Sequence, residues 1–411
     1  MSTTVATLGE IAEQVGGVIQ TGPFGSQLHR SDYREEGTPV VMPQDIVDDR
    51  IVITSIARVD DQIVNKLARH QLKVGDIIFP RRGDLGKRAI ITEEQEGWLC
   101  GTGCIKISIA NGPLHPHYLF YYLKQPQVIK WIENKAVGAT MLNLNMSILE
   151  SVEVKYPPYP IQAEIADILS AYDDLIANNR RRMALLEEAI HLLYREWFVR
   201  LRFPGHERVK VVGGVPEGWE KSTIENAFQI LGGGTPSRKE ERYWAEGTIN
   251  WYSPSDLTKS QSMFMESSSD KITDLGLANS SARLFPPFSV MMTSRATIGA
   301  ISINTTEACT NQGFITCLPN ERIPVYFLYC WLLTNIDIFT NLATGATFKE
   351  ISKGVFKKIP ILLPSERLTQ EFQEYVQPMA ETVLNLQRQN QKLTEARDSL
   401  LPRLMTGELS V

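Results

Sequence analysis

Apolar and polar positions follow two different periods along the chain. Two stretches carry apolar residues at steps of three and four, the spacing of one face of a helix. In the first they run Ile161, Ile165, Ile168, Tyr172, Leu175, Met183, Leu186, Ile190, Leu193 and Trp197; in the second, Leu368, Phe372, Tyr375, Met379, Val383, Leu386, Leu393, Leu400 and Leu404. Both stripes are as narrow as the seam of a helix pair. Ahead of each lie about 150 residues of short apolar runs such as Asp76-Ile77-Ile78-Phe79, divided by turn signals such as Gly22-Pro23 and Gly232-Gly233-Gly234. Each mixed part closes on an extended segment ending in proline, Val152 to Pro160 and Ile359 to Pro364.

A helix from 161 to about 199 is about 58 Å long at 1.5 Å per residue. Neither helix can bury its stripe on one mixed domain along that length, so the two are expected to pack on each other. A whole mixed domain separates them in sequence, which lets them run antiparallel with the mixed domains at opposite ends. Asn179, Asn390 and Arg397 interrupt the stripes. They are either frayed edges or polar groups that fix register between the helices. The expected fold is mixed α/β (α+β), with two pseudo-symmetric globular domains linked by two long antiparallel helices in a coiled-coil-like bar. The boundaries fall at 1–158, 159–203, 204–364 and 365–411, and Pro402 is expected to end the second helix near Leu401.

The two halves repeat one another. Gly138-Ala139-Thr140 recurs as Gly345-Ala346-Thr347, and at the same separation Leu186, Glu188, Ala189 and Leu193 meet Leu393, Glu395, Ala396 and Leu400. Pro157 meets Pro364, and Glu164 meets Glu371. Toward the front the separation drifts by a few residues, as loops would cause: Pro116 and Tyr118 meet Pro324 and Tyr326, and Pro43 and Asp45 meet Pro254 and Asp256. A near-constant separation across both loops and a helix points to duplication.

Composition narrows the class. With 43% hydrophobic and 22% charged residues, the chain is neither disordered nor collagen-like nor coiled coil alone. The longest apolar run, Val325 to Leu333, is too short for a membrane span, and no secretory signal opens the chain. Five cysteines suit a reducing compartment, so a cytoplasmic location is expected. A net charge of −5 excludes a histone-like coat but leaves room for a reader whose positive charge sits on one surface.

Catalytic motifs are missing. Arg82-Gly83-Asp84-Leu85-Gly86-Lys87 lacks phosphate-loop spacing, there is no His-Glu-x-x-His, and Cys100, Cys104, His115 and His117 lack a second ligand pair. Tyr156-Pro157-Pro158-Tyr159 resembles the Asn/Asp-Pro-Pro-Tyr/Phe loop of adenine methyltransferases. However, Tyr156 cannot replace the amide acceptor, and the second copy reads Leu363-Pro364-Ser365, so a strand exit is the better reading. Neither a catalytic residue nor a metal site is expected.

Several loops have the composition that DNA contact needs. Thr21, Phe24, Ser26, Gln27, His29 and Arg30 form one; Gln44 and Arg81, Arg82, Lys87 and Arg88 add to the first half. The second half offers Thr235, Ser237, Arg238 and Lys239, then Ser253 and Ser255, then Arg295 and Thr297. Gln and Arg can contact base edges through two hydrogen bonds, while Ser and backbone amides suit phosphates. Any one such loop reads first as an ordinary solvated turn; recurrence at matching places, as with Arg82 and Arg295, puts DNA contact on an equal footing with it. Arg180-Arg181-Arg182, Arg200, Arg202, Arg208 and Lys210 are either phosphate contacts or helix-surface charge. Ile168, Leu175, Leu186, Leu193, Tyr375, Leu386, Leu393 and Leu400 are candidates for helix pairing and partner docking.

Taken together, the repeat, the Gly-Ala-Thr loop before each proline-terminated strand, the two long helices and the paired openings (Thr21-Gly22-Pro23-Phe24-Gly25-Ser26, and Val215-Pro216-Glu217-Gly218-Trp219 with Gly233-Gly234-Thr235-Pro236) give the chain an end-to-end resemblance. It resembles the specificity subunit of type I restriction-modification systems, which serve in phage defence. The resemblance implies two target-recognition domains, each reading one half of a split, asymmetric site on double-stranded DNA. The helices would set the spacer and dock two methyltransferase subunits. S-adenosylmethionine, ATP and Mg would belong to those partners and to ATP-dependent restriction subunits, leaving this chain non-catalytic and without a cofactor. The alternatives are a fused or degenerate DNA adenine methyltransferase and a helix-mediated scaffold with no DNA role.

Overall fold

The computed structural model describes residues 3–109, 112–136, 142–345 and 347–411. The chain forms two compact units, Met1–Ala177 with Gln391–Val411, and Asn178–Asn390. It passes from one to the other inside each of two long helices, Tyr159–Tyr194 and Glu366–Thr406.

Each unit is built on the same plan. In the first, Thr4–Thr7 pairs antiparallel with Glu153–Tyr156. A second sheet has the order Val18–Thr21, Cys104–Ser108, Ile77–Pro80, Ala89–Ile90, and a third runs Leu99–Cys100, Thr38–Val41, Ala57–Val59, Tyr33–Arg34. The second unit repeats this: Glu220–Thr223 pairs with Pro360–Leu363, and Gln229–Gly232, Phe314–Leu318, Val290–Arg295 and Thr297–Asn304 lie side by side. The order Asp270–Ile272, Ile249–Tyr252, Ala308–Thr310 makes its third sheet. In both units one pairing of this third sheet is parallel, Leu99–Cys100 on Thr38–Val41 and Ala308–Thr310 on Ile249–Tyr252. The apolar run at 77–79 thus becomes a buried central strand, and the run at 325–333 a buried helix, Val325–Thr334. Tyr156 ends its strand and Tyr159 opens the helix, so the methyltransferase-like fragment is a strand exit.

Inside each unit the two long helices pack on one another and on that unit's core. In the second unit Ile190, Tyr194 and Trp197 lie among Leu368, Phe372, Val376, Ala380 and Val383. Tyr194 meets Phe372 while Asn179, fifteen residues earlier, meets Asn390, so the helices run antiparallel. In the first unit Ile165, Ala166 and Leu169 share a core with Leu401 and Leu404.

The seam follows the expected face with a local shift. Leu186 and Leu193 pack on the second unit's core, Leu386 is buried in that unit, and Leu393 and Leu400 are half-buried. Ile168, Leu175 and Tyr375 lie exposed, and their neighbours Leu169, Ile176 and Val376 are buried instead. At each point the chain offers two adjacent apolar or aromatic residues, three and four places after Ile165, Tyr172 and Phe372. At 3.6 residues per turn the residue four places on lies about 40° from the starting position and the one three places on about 60° to the other side, so the second of each pair sits closer to the seam.

The polar interruptions are structural. Asn179 is 1% exposed, and its Nδ2 donates to Asn390 Oδ1 at 3.0 Å. Arg397 pairs with Asp173, whose other oxygen accepts from the Tyr121 hydroxyl at 2.6 Å. Pro402 does not end the second helix, which continues to Thr406. An interior proline costs about 3 kcal/mol. Burying Leu401 and Leu404, each 5% exposed, returns about 1.5–3 kcal/mol apiece and offsets it.

Candidate nucleic-acid interface

In each unit the ends of the second and third sheets bring the same loops together. Gly22 follows the strand Val18–Thr21, and a Cβ built there would stand 2.0 Å from the Gly101 carbonyl oxygen; Gly233 stands in the same relation to Asn311. Only glycine lets the opening loop cross so close to the neighbouring backbone. Gly103 and Gly313 abut the rings of Pro43 and Pro254. Those prolines start matching turns in which an aspartate carboxylate accepts from the backbone three residues back: Met42 N to Asp45 Oδ2 at 2.8 Å, and Ser253 N to Asp256 Oδ2 at 2.7 Å.

The third contributor is the exit of the central strand. Arg81 N donates to Gly103 O at 2.7 Å and Ser294 N to Gly313 O at 2.8 Å. Arg82 bridges to Asn143 and Arg295 to Glu350 in matching isolated β-bridges. The returning segment then caps a short helix, through Asn145 Oδ1 in one unit and Ser352 Oγ in the other. Gly138-Ala139-Thr140 and Ala346 lie outside the described residues, whereas Gly345 and Thr347 are described.

Most expected contact residues project from this edge. Phe24 is 57% exposed, with the half-buried Arg81 guanidinium 5.9 Å from its ring centroid. Ser26, His29, Arg30, Gln44, Arg82 and Lys87 are exposed, and Thr21 and Gln27 are half-buried. Gln27 Oε1 accepts from Phe24 N, which closes the loop tip. In the second unit Thr235, Ser237, Lys239, Ser255 and Thr297 are exposed and Ser253 is half-buried, its hydroxyl held by Asp256. Arg295 pairs with Glu350 at 3.7 Å, and Arg238 with Asp270 at 2.6 Å.

Arg88 departs from the expectation. It is fully buried, its guanidinium donating to the carbonyls of Leu123 and Gly86, and it lies over Phe79. Burial pushes its pKa down to about 10, against the pull of Asp49 and Asp84. It is a core tie and not a contact residue. Its place in a basic run concealed this, because the alternation that turns it inward spans only the short strand Ala89–Ile90.

The turn aspartates differ in charge setting. Burial raises the Asp45 pKa against one backbone bond from Met42. At Asp256 burial also raises it, but bonds from Ser269 and Ser253 outweigh that and leave it lowered. Three exposed residues at the edge escaped the sequence reading. Thr102 Oγ1 donates to Pro23 O, Gln312 Oε1 accepts from Thr235 Oγ1, and Phe348, 59% exposed, lies two residues before Glu350. Thr102 and Gln312 were legible from the repeat: Gly101-Thr102-Gly103 and Asn311-Gln312-Gly313 stand immediately before matching strands.

Among the described residues no group of three or more His, Cys, Asp or Glu side chains is placed to hold a metal, and no helix is long and apolar enough to cross a membrane. Comparison with known proteins matches both copies of the repeat. The family model for the type I restriction modification DNA specificity domain aligns with residues 5–188 and again with 216–395. The type I restriction enzyme MjaIX specificity subunit of Methanocaldococcus jannaschii is 25% identical over 385 residues, 91% of this chain and 87% of the relative. The HindI specificity subunit of Haemophilus influenzae is 23% identical over 432 residues, 89% and 93% of the two chains. The crystal structure of a type I restriction-modification S subunit from M. genitalium shares the fold, with a TM-score of 0.59 at 16% identity over 98% of this chain and 96% of that one. Two matched copies spanning most of its length place the chain in the type I restriction-modification DNA specificity family, as a specificity subunit that recognises DNA and does not itself catalyse.

Proposed function

We propose that each unit's loop edge reads one half of a bipartite, asymmetric site on double-stranded DNA, that the long helices set the gap between the halves, and that the helices dock two methyltransferase subunits. The observation that carries this is a shared frame with unlike tips. The glycines, Pro-x-Asp turns and Arg82/Arg295 bridges recur, while Phe24, Gln27, Gln44 and Thr102 of the first copy are replaced by Thr235, Arg238, Ser255 and Gln312 at the matching positions of the second. Identical frames give identical placement, and different tips give different base contacts, so the two half-sites differ. The exposed Ile168, Leu175 and Tyr375 suit the docking role, since apolar side chains left off the seam are available to a partner.

On this reading the methyl donor, ATP and Mg act in the methyltransferase and restriction subunits, and the assembly works in the cytoplasm against phage DNA. The test is genome-wide mapping of methylated adenines in cells that co-produce the chain and its methyltransferase partner. A bipartite, non-palindromic motif is expected, and a palindrome would contradict the two-reader reading. Deleting one heptad from both helices shortens the span by about 10 Å. At about 3.4 Å per base pair the gap should close by about three base pairs. An unchanged gap would remove the helices from the role of spacer.

A further inference from the structure

The opening loop of the second unit holds an arginine in a setting found nowhere else among the described loops. Arg238 sits over Trp244 with its guanidinium carbon 3.6 Å from the ring centroid, and 5.0 Å from that of Trp251. The two rings meet edge to face at 5.1 Å. Each is tied to the loop that carries the arginine, Trp244 Nε1 to Ser237 O at 3.1 Å and Trp251 Nε1 to Gly234 O at 2.9 Å. Arg238 Nη2 donates to Asp270 Oδ2 at 2.6 Å, yet the side chain stays 53% exposed.

A mere latch would look different. Arg88, which is one, is buried and spends its fork on two main-chain carbonyls. Arg238 spends one contact on a carboxylate and keeps the rest of its planar fork outside. Exposed ion pairs and cation–π contacts add little stability, but together they fix the plane and rotation of a side chain that otherwise has many rotamers. The adjacent Asp270 also cancels most of the field that would draw the arginine to a phosphate.

We propose that Arg238 is a preorganised reader of one guanine in the half-site bound by the second unit. Among the bases, guanine alone presents two acceptors, O6 and N7, side by side in the major groove, and a donor-only fork matches that pair. Trp244 holds the plane and Asp270 the rotation. The matching residue of the first unit is Gln27, whose Oε1 is taken by Phe24 N, so the device belongs to one half-site only. This inference rests on the DNA-reading edge proposed above.

The test is selection of bound duplexes from a random-sequence pool by the full chain with its methyltransferase partners, as wild type, R238K, R238A and D270N. Wild type should enrich a site with one fixed guanine in one half. R238K and R238A should lose definition at that position alone, and D270N should weaken it without loss of general affinity. Placing 7-deazaguanine there, which lacks the N7 acceptor, should weaken wild-type binding about tenfold to a hundredfold and R238A hardly at all. R238K keeps the charge over Trp244 and beside Asp270 but not the fork, so it separates reading from folding. A folded R238K or R238A that still selects the same guanine, or that weakens every sequence equally, overturns the proposal. Failure of wild type to enrich any sequence overturns the DNA reading itself.

Discussion

The amide pair in the helix seam gives a prediction whose sign changes between single and double variants. Asn179 is 1% exposed and donates to Asn390 across the seam at 3.0 Å. Replacing Asn179 by Ala removes this hydrogen bond together with a buried side chain, while Asn390 is half-buried. A typical intramolecular hydrogen bond contributes about 0.5–1.5 kcal/mol. Replacing both residues by Leu removes both polar groups and continues the apolar stripe between Met183 and Leu386, which is nearly neutral or stabilising. Hence N179A should lower the stability read from urea unfolding by about 0.5–1.5 kcal/mol, and N179L/N390L should recover it. The coupling energy of the cycle should exceed about 0.5 kcal/mol. The doubly apolar helices should also accept slipped pairings, seen as altered cross-linking between cysteines placed at 183 and 386. A single variant within about 0.3 kcal/mol of wild type, or strictly additive effects, would refute the assignment of this pair to register.

Burial raises Glu187 to about 7, so the fold favours its protonated form. Stability from this group is full below the unfolded value of 4.5 and is lost as pH rises toward about 7. E187Q should therefore leave urea stability unchanged at pH 4 and raise it at pH 8 by about 2 kcal/mol after allowance for partial exposure; equal effects at both pH values would contradict the sign. Lys106 and Asp76, 5% and 1% exposed and 3.7 Å apart, form a buried pair in the first unit. K106M should cost about 3–5 kcal/mol in denaturant unfolding, with most of it restored in K106M/D76N. Ser289 and Thr316 occupy the matching strand positions in the second unit, so a neutral pair is compatible with the frame. G22A and G233A each push a Cβ onto a backbone oxygen and should destabilise the loop by about 1–3 kcal/mol, read as faster proteolysis at that loop alone.

Much of this was legible in the chain because duplication supplies an internal control. The Pro-x-Asp turns and the Arg82/Arg295 correspondence stand in the sequence at near-constant separation and reappear as matching hydrogen bonds and bridges. The helices were visible from spacing alone, but their seam was placed one residue early at Ile168, Leu175 and Tyr375, because adjacent apolar pairs leave the phase to the 3.6 period and to the partner surface. Arg88 and Pro402 show the other failure. A basic residue beside a strand and a proline in a helix are read as surface and terminus by local preference, and long-range burial against Phe79 and in the core with Leu401 and Leu404 overrides both. The Trp244–Arg238–Asp270 arrangement could not be seen either, since it joins three loops and strands whose sequence separations carry no motif.

The central claim, one loop edge for one half-site, is tested most directly by mapping methylated sites after changing tips on the first unit alone, as in F24A/Q44A. The account predicts that one half of the motif loses definition while the other half and the gap stay as they were. Loss of both halves together, or a motif unchanged in either, would contradict it.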